Sequence, residues 1–200
     1  MKPLSYVMRH TAAYRLWQAP FAGRKFAPVL RHNDVSSARS VLDVGCGPGT
    51  NTRYFANAAY LGLDINPDYI AYAQKRYDRD FAVTDVREYS DRTGERFDFI
   101  LVNSFFHHID DSDSRKIMAN LARLLTTGGS IHILDLVMPE SAGLARLLAR
   151  ADRGDYPRSL GAWLRLFSES FEPTLFEPYA MGLPGVTLWN MVYFRGHRRR

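Results

Sequence analysis

The stretch SVLDVGCGPGTNT, from Ser40 to Thr52, joins two kinds of sequence. After the leading serine, its first residues are apolar apart from Asp43, which is typical of a buried parallel strand. Three glycines then occupy alternate positions, namely Gly45, Gly47 and Gly49. Because glycine lacks a Cβ atom, it adopts positive φ angles and lets the backbone approach a ligand closely. The stretch therefore predicts a strand, a tight ligand-contacting turn and the start of a helix, whose N-terminus adds partial positive charge.

Two more acidic residues end apolar runs downstream of Asp43. Residues 60–64 read YLGLD and residues 81–85 read FAVTD, so Asp43, Asp64 and Asp85 recur at intervals of 21 residues. In a βαβαβ unit the carboxyl ends of the strands lie along one edge of the sheet, where ligand contacts gather. A carboxylate at the second strand end suits the hydroxyl groups of an adenosine ribose, and one at the third suits the adenine amino group. Alone, each aspartate would be a turn former, but behind the glycine turn they favour a ligand site.

At these residues the chain resembles the class I S-adenosylmethionine-dependent methyltransferases. The similarity is carried by VLDVGCGPGT, LGLDINP, TDV and LLTTGGS, and it spans roughly half of the chain, from Val41 to Leu136. It is similar to the small-molecule methyltransferases of the ubiquinone and menaquinone biosynthesis type. The resemblance implies an α/β, Rossmann-like sheet of about seven strands, mostly parallel with an antiparallel last strand and helices on both faces. It also implies S-adenosyl-L-methionine as the cofactor and S-adenosyl-L-homocysteine as the product.

The resemblance assigns roles to individual positions. The glycine turn, supported by Asp43, would approach the methionine part of the cofactor. Asp64 would hold the ribose hydroxyls and Ile65 would lie against adenine. Asp85, with the Val86 amide, would read the adenine edge, and Asn103 would border the methionine end. The implied cofactor-binding residues are Asp43, Gly45, Cys46, Gly47, Gly49, Thr50, Asp64, Ile65, Asp85, Val86, Asn103 and Ser104.

Two other function classes remain open. A nicotinamide or flavin dinucleotide fold also uses a glycine-rich turn and a later acidic residue, and would make the chain an NAD(P)-dependent oxidoreductase. However, the third glycine comes one residue too early for G-x-G-x-x-G, and Asp85 has no duty in that fingerprint. A non-catalytic S-adenosylmethionine-binding module that acts through a partner is the second alternative. A filled cavity beside the sulfonium would favour that module.

Composition limits the remaining possibilities. The 200 residues suit one domain, and 46% hydrophobic and 24% charged residues are ordinary for a globular protein. We find no apolar run long enough for a membrane helix, no secretory signal and a single cysteine, so we expect a cytoplasmic protein. The net charge is +5, but no run of basic residues is dense enough to predict a nucleic-acid patch. No metal-ligand cluster is visible, so a metal-independent enzyme with a small-molecule acceptor is expected, while the oligomeric state is undetermined.

The motifs divide the single predicted domain into four parts. Residues 1–39 form a helical arm or lid, broken by Pro20 and Pro28, and residues 40–136 form the cofactor-binding core. Residues 137–160 form a variable insertion, and residues 161–200 supply a last helix and a strand pair. The arm either covers the cofactor or merely packs on the sheet. If it is a lid, Tyr6, Tyr14 and Trp17 are candidate pocket residues, and Arg9 or Arg24 would meet the cofactor carboxylate.

The sequence NSFFHHID follows the predicted fourth strand and is the second informative stretch. This strand ends beside the transferred methyl in the family, which often carries a similar aromatic-His-His segment, so its side chains would face the acceptor. Phe106 is a candidate for the acceptor pocket. A histidine with a near-neutral pKa takes a proton readily, so His107 and His108 are candidate general bases for an oxygen or nitrogen acceptor. The alternatives are that one histidine caps the next helix, that the other packs beneath the loop, and that alignment alone supplies the acceleration. Nucleic-acid amino-methyltransferases usually carry an Asn or Asp, two prolines and an aromatic residue at this place. The sequence NSFF has no proline, so we do not expect the exocyclic amine of a nucleic-acid base as the acceptor.

Overall fold

The computed structural model describes residues 23–89, 94–152 and 154–199. Within them the strands are β1 (Ser40–Val44), β2 (Ala59–Asp64), β3 (Asp80–Val83), β4 (Phe97–Asn103), β5 (Leu125–Val137), β6 (Phe171–Leu183) and β7 (Val186–Arg198). They form one seven-stranded sheet in the order β3-β2-β1-β4-β5-β7-β6. Neighbours from β3 to β5 run parallel, whereas β7 is antiparallel to both β5 and β6. The predicted α/β class, the seven strands and the antiparallel last strand are confirmed.

Five α-helices accompany the sheet in the described part of the chain. They are α1 (residues 23–32), α2 (Pro67–Arg76), α3 (Asp111–Leu124), α4 (Leu144–Ala151) and α5 (Leu160–Ser168). Side chains cap two of these helices: the Asn66 side chain accepts from the first amides of α2, and the Asp110 side chain accepts from Asp113 N–H. These local hydrogen bonds define where both helices start.

Two local predictions were wrong. The helix expected after the glycine turn is only a 3₁₀ turn over Thr52–Tyr54. The chain leaves helical angles at Phe55, because this bend places the Phe55 ring in the core beside Phe26 and Phe99. The break expected at Pro28 does not occur, since residues 23–32 are continuously helical. Phe26 and Val29 are fully buried in this helix. The free energy gained by burying them offsets the loss of the hydrogen bond that Pro28 cannot donate.

The sheet separates two apolar layers. Alternate residues of β1 point to opposite faces, so that Leu42 and Val44 join one cluster and Val41 joins the other. Helices α3 and α5 pack on the Leu42 face, where Trp163 is fully buried and donates to the Leu136 carbonyl at 2.9 Å. Helices α1 and α2 supply the opposite layer. Both layers hold the carboxyl ends of β1, β2 and β4 along one edge of the sheet.

Candidate active site

The glycine turn after β1 is held by backbone geometry that only glycine adopts readily. Gly45, Gly47 and Gly49 have φ angles of 67°, 55° and 77°. The amides of Gly45 and Cys46 both donate to the Leu63 carbonyl, at 2.8 and 3.0 Å, which fastens the turn to the end of β2. A Cβ atom at Gly45 would lie 2.8 Å from the Phe105 ring, whereas one at Gly47 would meet no described atom within 4 Å. Among the described residues, nothing fills the space beside the turn at Gly47.

Asp64 braces this turn from the end of β2. Its two carboxylate oxygens accept from the amides of Gly47 and Asn66, each at 2.9 Å. Burial raises the pKa of Asp64, and these backbone donors oppose the rise. Next to it, the Ile65 side chain is 68% exposed, which leaves an apolar surface beside the carboxylate. Asp64 and Ile65 thus lie together at the edge where the sequence places the adenosine contacts.

Asp43 lies fully buried inside β1, beneath the glycine turn. Its Oδ2 accepts from the Tyr60 hydroxyl at 2.7 Å and from the Asn51 amide at 3.4 Å. Its Oδ1 has no hydrogen-bond partner among the described residues. Burial raises the pKa of Asp43 to about 7 despite the donors. Through its contact with Asn51, Asp43 is joined from within β1 to the segment that follows the glycine turn.

A line of polar contacts continues from Asn51 across the strand ends. The Asn103 amide donates to Asn51 Oδ1 at 3.4 Å, and the Ser104 hydroxyl donates to Asn103 Oδ1 at 3.3 Å. Lys25 Nζ, from α1, donates to Ser104 Oγ at 2.8 Å. Ser104 has a φ angle of 57°, an uncommon backbone conformation for a residue that is not glycine. Asn103 and Ser104 are therefore joined to the glycine turn on one side and to α1 on the other.

The remaining predicted cofactor residues occupy different surroundings. Asp85 is held by Arg87, whose guanidinium donates to both carboxylate oxygens and keeps the pKa of Asp85 below its usual range. The Val86 side chain is buried, so only its backbone is open to a ligand. Within the turn, Thr50 is exposed and the buried Cys46 thiol has a raised pKa.

The two histidines after β4 differ sharply. His107 is buried, with Nδ1 at 2.6 Å from Asp135 Oδ1 and Nε2 at 3.3 Å from Asp152 Oδ1. Burial alone would lower the pKa of His107, but the two carboxylates outweigh it and raise the pKa to about 9. His107 is therefore a cation held between two carboxylates. His108 is exposed, and its ring lies against that of His107 with centroids 4.0 Å apart.

The segment after α4 closes over these histidines. Arg158 is buried and pairs with Asp111 at 2.6 Å, and its guanidinium also donates to the carbonyls of Phe106 and Ile109. The same guanidinium lies 4.6 Å from the centre of the Trp163 ring. A Cβ atom at Gly154 would collide with His107. The loop is thus packed directly on the predicted catalytic stretch.

Several site residues were not predicted from the sequence. They are Lys25, Asp135, Asp152 and Arg158, and each acquires its role through contacts with residues distant in the chain. Asp135 carried one usable signal, since it is an acidic residue at the end of an apolar strand. Tyr6, Arg9, Tyr14 and Trp17 lie outside the described residues. Arg24 donates to the Gly182 carbonyl at 2.7 Å, and the Phe106 ring is fully buried against Phe167, away from open space.

A separate cleft of about 360 Å³ lies at the opposite edge of the sheet, where β4 and β5 begin their pairing. His132 lines it and is fully buried. Both ring nitrogens of His132 are engaged, one with the Ser130 hydroxyl and one with the Tyr193 hydroxyl, each at 2.8 Å. Burial keeps the pKa of His132 well below its usual value. This polar cleft is far from the glycine turn and belongs to the packing of the sheet.

Comparison with known proteins agrees with this geometry. Residues 41–129 match the model of a family described as a methyltransferase domain. Over these residues the chain is similar to a methyltransferase domain. The matched residues run from β1 into the first part of β5, and so include Asp43, Asp64 and Asp85. The resemblance to the class I S-adenosylmethionine-dependent methyltransferases is thereby confirmed.

Curated relatives are similar to parts of this chain. An uncharacterised protein of Synechococcus is 30% identical over 146 residues, which cover 64% of this chain and 34% of that protein. An uncharacterised methyltransferase of Bacillus cereus is 25% identical over 103 residues, covering 50% of this chain and 49% of the relative. The chain spans between a third and a half of the length of these two relatives.

Solved structures share the fold over nearly the whole chain. N-methyltransferase NodS from Bradyrhizobium japonicum, in complex with S-adenosylhomocysteine, has a TM-score of 0.74 and 18% identity, covering 98% of this chain and 97% of NodS. The plantazolicin methyltransferase BpumL, in complex with a desmethylplantazolicin analogue and S-adenosylhomocysteine, has a TM-score of 0.70 and 16% identity, covering 94% and 90%. At these identities the likeness shows the fold.

In the described part of the chain, no helix has the length and apolar character needed to cross a membrane.

Proposed function

We propose that this protein binds S-adenosyl-L-methionine and transfers its methyl group to a small or medium-sized acceptor with an oxygen, nitrogen or carbon nucleophile. The observation that carries the proposal is the glycine turn. Its three glycines have positive φ angles, and no described atom lies within 4 Å of a Cβ atom built at Gly47. The turn lies beside Asp64, at the strand ends of the region that matches a methyltransferase domain. This is a backbone cradle that accepts a ligand where a side chain would be strained.

The residues present fit each part of the cofactor. Asp64 would hold the ribose hydroxyls, and the exposed Ile65 would lie against adenine. Asp85, with the Val86 amide, would read the adenine edge once Arg87 shares or yields that carboxylate. Asn103 and Ser104 would border the methionine end. The remaining contacts would come from the turn itself, through Gly45, Cys46, Gly47, Gly49 and Thr50, with Asp43 supporting the turn from within β1.

Methyl transfer mainly requires that the protein align the acceptor atom with the methyl group of the cofactor. When bound, the cofactor supplies a sulfonium, which is an activated leaving group and needs no metal to release the methyl. The residues of the chain orient the acceptor in line with that methyl and exclude water, which supplies much of the acceleration. Because two carboxylates hold His107, the exposed His108 is the better candidate to face an acceptor. The prediction of a histidine base therefore rests on His108.

A calorimetric titration of the protein with S-adenosylhomocysteine tests the cofactor, and NADH is the control ligand. Saturable binding of the first ligand alone is expected. Binding of NADH alone would replace the proposal with a nucleotide-dependent oxidoreductase. Binding of neither would leave a protein whose methyltransferase domain has lost its ligand.

The Asp64→Ala variant tests the role of the strand-end carboxylate. We expect its affinity for S-adenosylhomocysteine to fall about 10- to 100-fold, because hydrogen bonds to a charged group are each worth about 1.5–3 kcal/mol. Asp78→Ala, on an exposed position before β3, is the matched control and should bind like the wild type. Unchanged affinity in Asp64→Ala would remove Asp64 from the site. A functional but non-catalytic module would bind equally well and show no turnover with any acceptor.

A further inference from the structure

We propose that Lys25 is a general base of the methyl-transfer site, whose amine takes the proton of an acceptor hydroxyl or amine group. This inference rests on the proposed function and assigns the proton transfer within it. Nothing in the sequence patterns marked Lys25, which lies outside every motif. Its placement in the structure carries the inference.

Helix α1 fixes Lys25 at the strand ends. Arg24 donates to the Gly182 carbonyl on β6 at 2.7 Å, and the Tyr179 hydroxyl on β6 donates to the Lys25 carbonyl at 3.0 Å. At the other end of the helix, Arg31 pairs with Glu177 on the same strand at 2.9 Å. These contacts hold α1 against β6, and Lys25 is only 8% exposed.

The amine then ends beside the methionine end of the proposed cofactor site. Nζ lies 2.8 Å from Ser104 Oγ, and Ser104 follows the end of β4 in its uncommon φ of 57°. The Ser104 hydroxyl continues the polar line to Asn103 and Asn51, and so to the glycine turn. A strained residue that meets a buried lysine at a strand end is typical of a functional site.

The charges around Lys25 poise it for proton transfer. Burial lowers the pKa of Lys25 to about 8, and the carboxylates of Asp152 and Asp135 partly oppose that fall. The groups that face it are Ser104 from the end of β4, Asp135 from β5, Asp152 from the loop after α4 and Tyr179 from β6. Both carboxylates also hold the His107 cation, which limits their attraction for the ammonium. A base is most effective when its pKa lies near the working pH.

The charge of the cofactor would couple this titration to the reaction. A sulfonium close to Lys25 is a like charge, which lowers the pKa of the amine further and favours its neutral form. During transfer the acceptor lone pair forms the bond to the methyl carbon, while the electron pair of the breaking C–S bond stays on sulfur. The acceptor proton passes to the Lys25 lone pair and gives an ammonium. Since the sulfur is then neutral, the pKa of Lys25 rises and the proton is held until it leaves to solvent.

The experiment needs no acceptor. S-adenosylmethionine and S-adenosylhomocysteine are titrated separately into the protein at about pH 7.5, in two buffers of different ionisation enthalpy, to count the protons released on binding. Lowering a pKa of 8 by about one unit at this pH releases roughly half a proton. We expect wild type to release about half a proton more with S-adenosylmethionine than with S-adenosylhomocysteine.

Three variants assign that proton. Lys25→Met removes the amine, and Lys25→Arg keeps a charge that does not titrate, so both should abolish the difference between the ligands. His108→Ala should keep it. A difference that persists in both Lys25 variants, or that is absent from the wild type, overturns the proposal. Loss of the difference in His108→Ala alone would assign the proton to His108. If the wild type binds neither ligand, the proposed function itself fails and this inference fails with it.

Discussion

At the scale of single residues, Asp43 shows how burial changes the chemistry of a carboxyl group. Its side chain lies inside β1, where the Tyr60 hydroxyl and the Asn51 amide donate to one oxygen. Even so, burial raises the pKa of Asp43 to about 7. In the unfolded chain the pKa is about 4, so between these values the folded state binds more protons. The contribution of Asp43 to stability is therefore fully present in acid and is lost as the pH rises towards 7.

The Asp43→Asn variant tests this sign. An amide oxygen still accepts from Tyr60 but does not ionise, so the variant escapes the cost of burying a charge. We expect its free energy of unfolding, relative to wild type, to rise by about 2–3 kcal/mol between about pH 5 and pH 8. Urea denaturation at the two pH values measures the difference. The exposed Asp78→Asn variant is the control, and a profile parallel to its own would show that Asp43 titrates normally.

At the scale of elements, the loop between α4 and α5 is joined to the stretch after β4 by one arginine. Arg158 is buried and contacts Asp111, the carbonyls of Phe106 and Ile109, and the Trp163 ring. A guanidinium presents several donors in a rigid plane, which a lysine ammonium does not reproduce. The two elements that would shape an acceptor pocket are therefore fixed to each other by this residue.

The Arg158→Met variant should destabilise the protein by about 2–4 kcal/mol. Removing one partner of a buried ion pair costs about 3–5 kcal/mol, and the value is lower here because Asp111 is partly exposed. For a chain of this size the melting temperature should fall by roughly 5–15 °C. Arg165→Met, on the exposed face of α5, should stay within about 0.5 kcal/mol of wild type. Equal melting temperatures for the two variants would show that the loop does not depend on Arg158.

At the scale of the whole molecule, the carboxyl edge of the sheet brings together residues from α1, β1, β2, β4, β5 and the loop after α4. Because these contacts form only in the folded chain, a ligand bound there stabilises the native state and not the unfolded one. Ligand binding and global stability are therefore linked, and heating the protein reports on the site.

S-adenosylhomocysteine at about 100 times its dissociation constant should stabilise the fold by about 2.7 kcal/mol. The melting temperature should then rise by about 5–10 °C, in a manner that depends on ligand concentration. Thermal denaturation followed by fluorescence or calorimetry measures this shift. NADH at the same concentration is the control. An equal shift with NADH, or no shift with either ligand, would contradict the proposed cofactor.

Features that depend on short-range interactions were predictable from the amino-acid sequence. Short apolar runs predicted the buried strands β1, β2 and β4, which the structure contains. The spacing of Asp43, Asp64 and Asp85 then predicted a ligand edge, because parallel strands end at the same side of a sheet. The confirmed fold follows from these short-range rules together with the family resemblance.

The electrostatic organisation of the site, in contrast, arises from contacts between elements that are distant in the chain. Lys25 meets Ser104 across 79 residues, and Asp135 meets His107 across 28. No period or motif encodes such pairs, since burial and charge partners arise when separate elements pack. The sequence predicted a helix after the glycine turn, but the structure has a 3₁₀ turn there, because this bend buries Phe55 in the core. The packing also made His107 a held cation and left Lys25 as a buried amine, because charge in a folded protein depends on its neighbours in space.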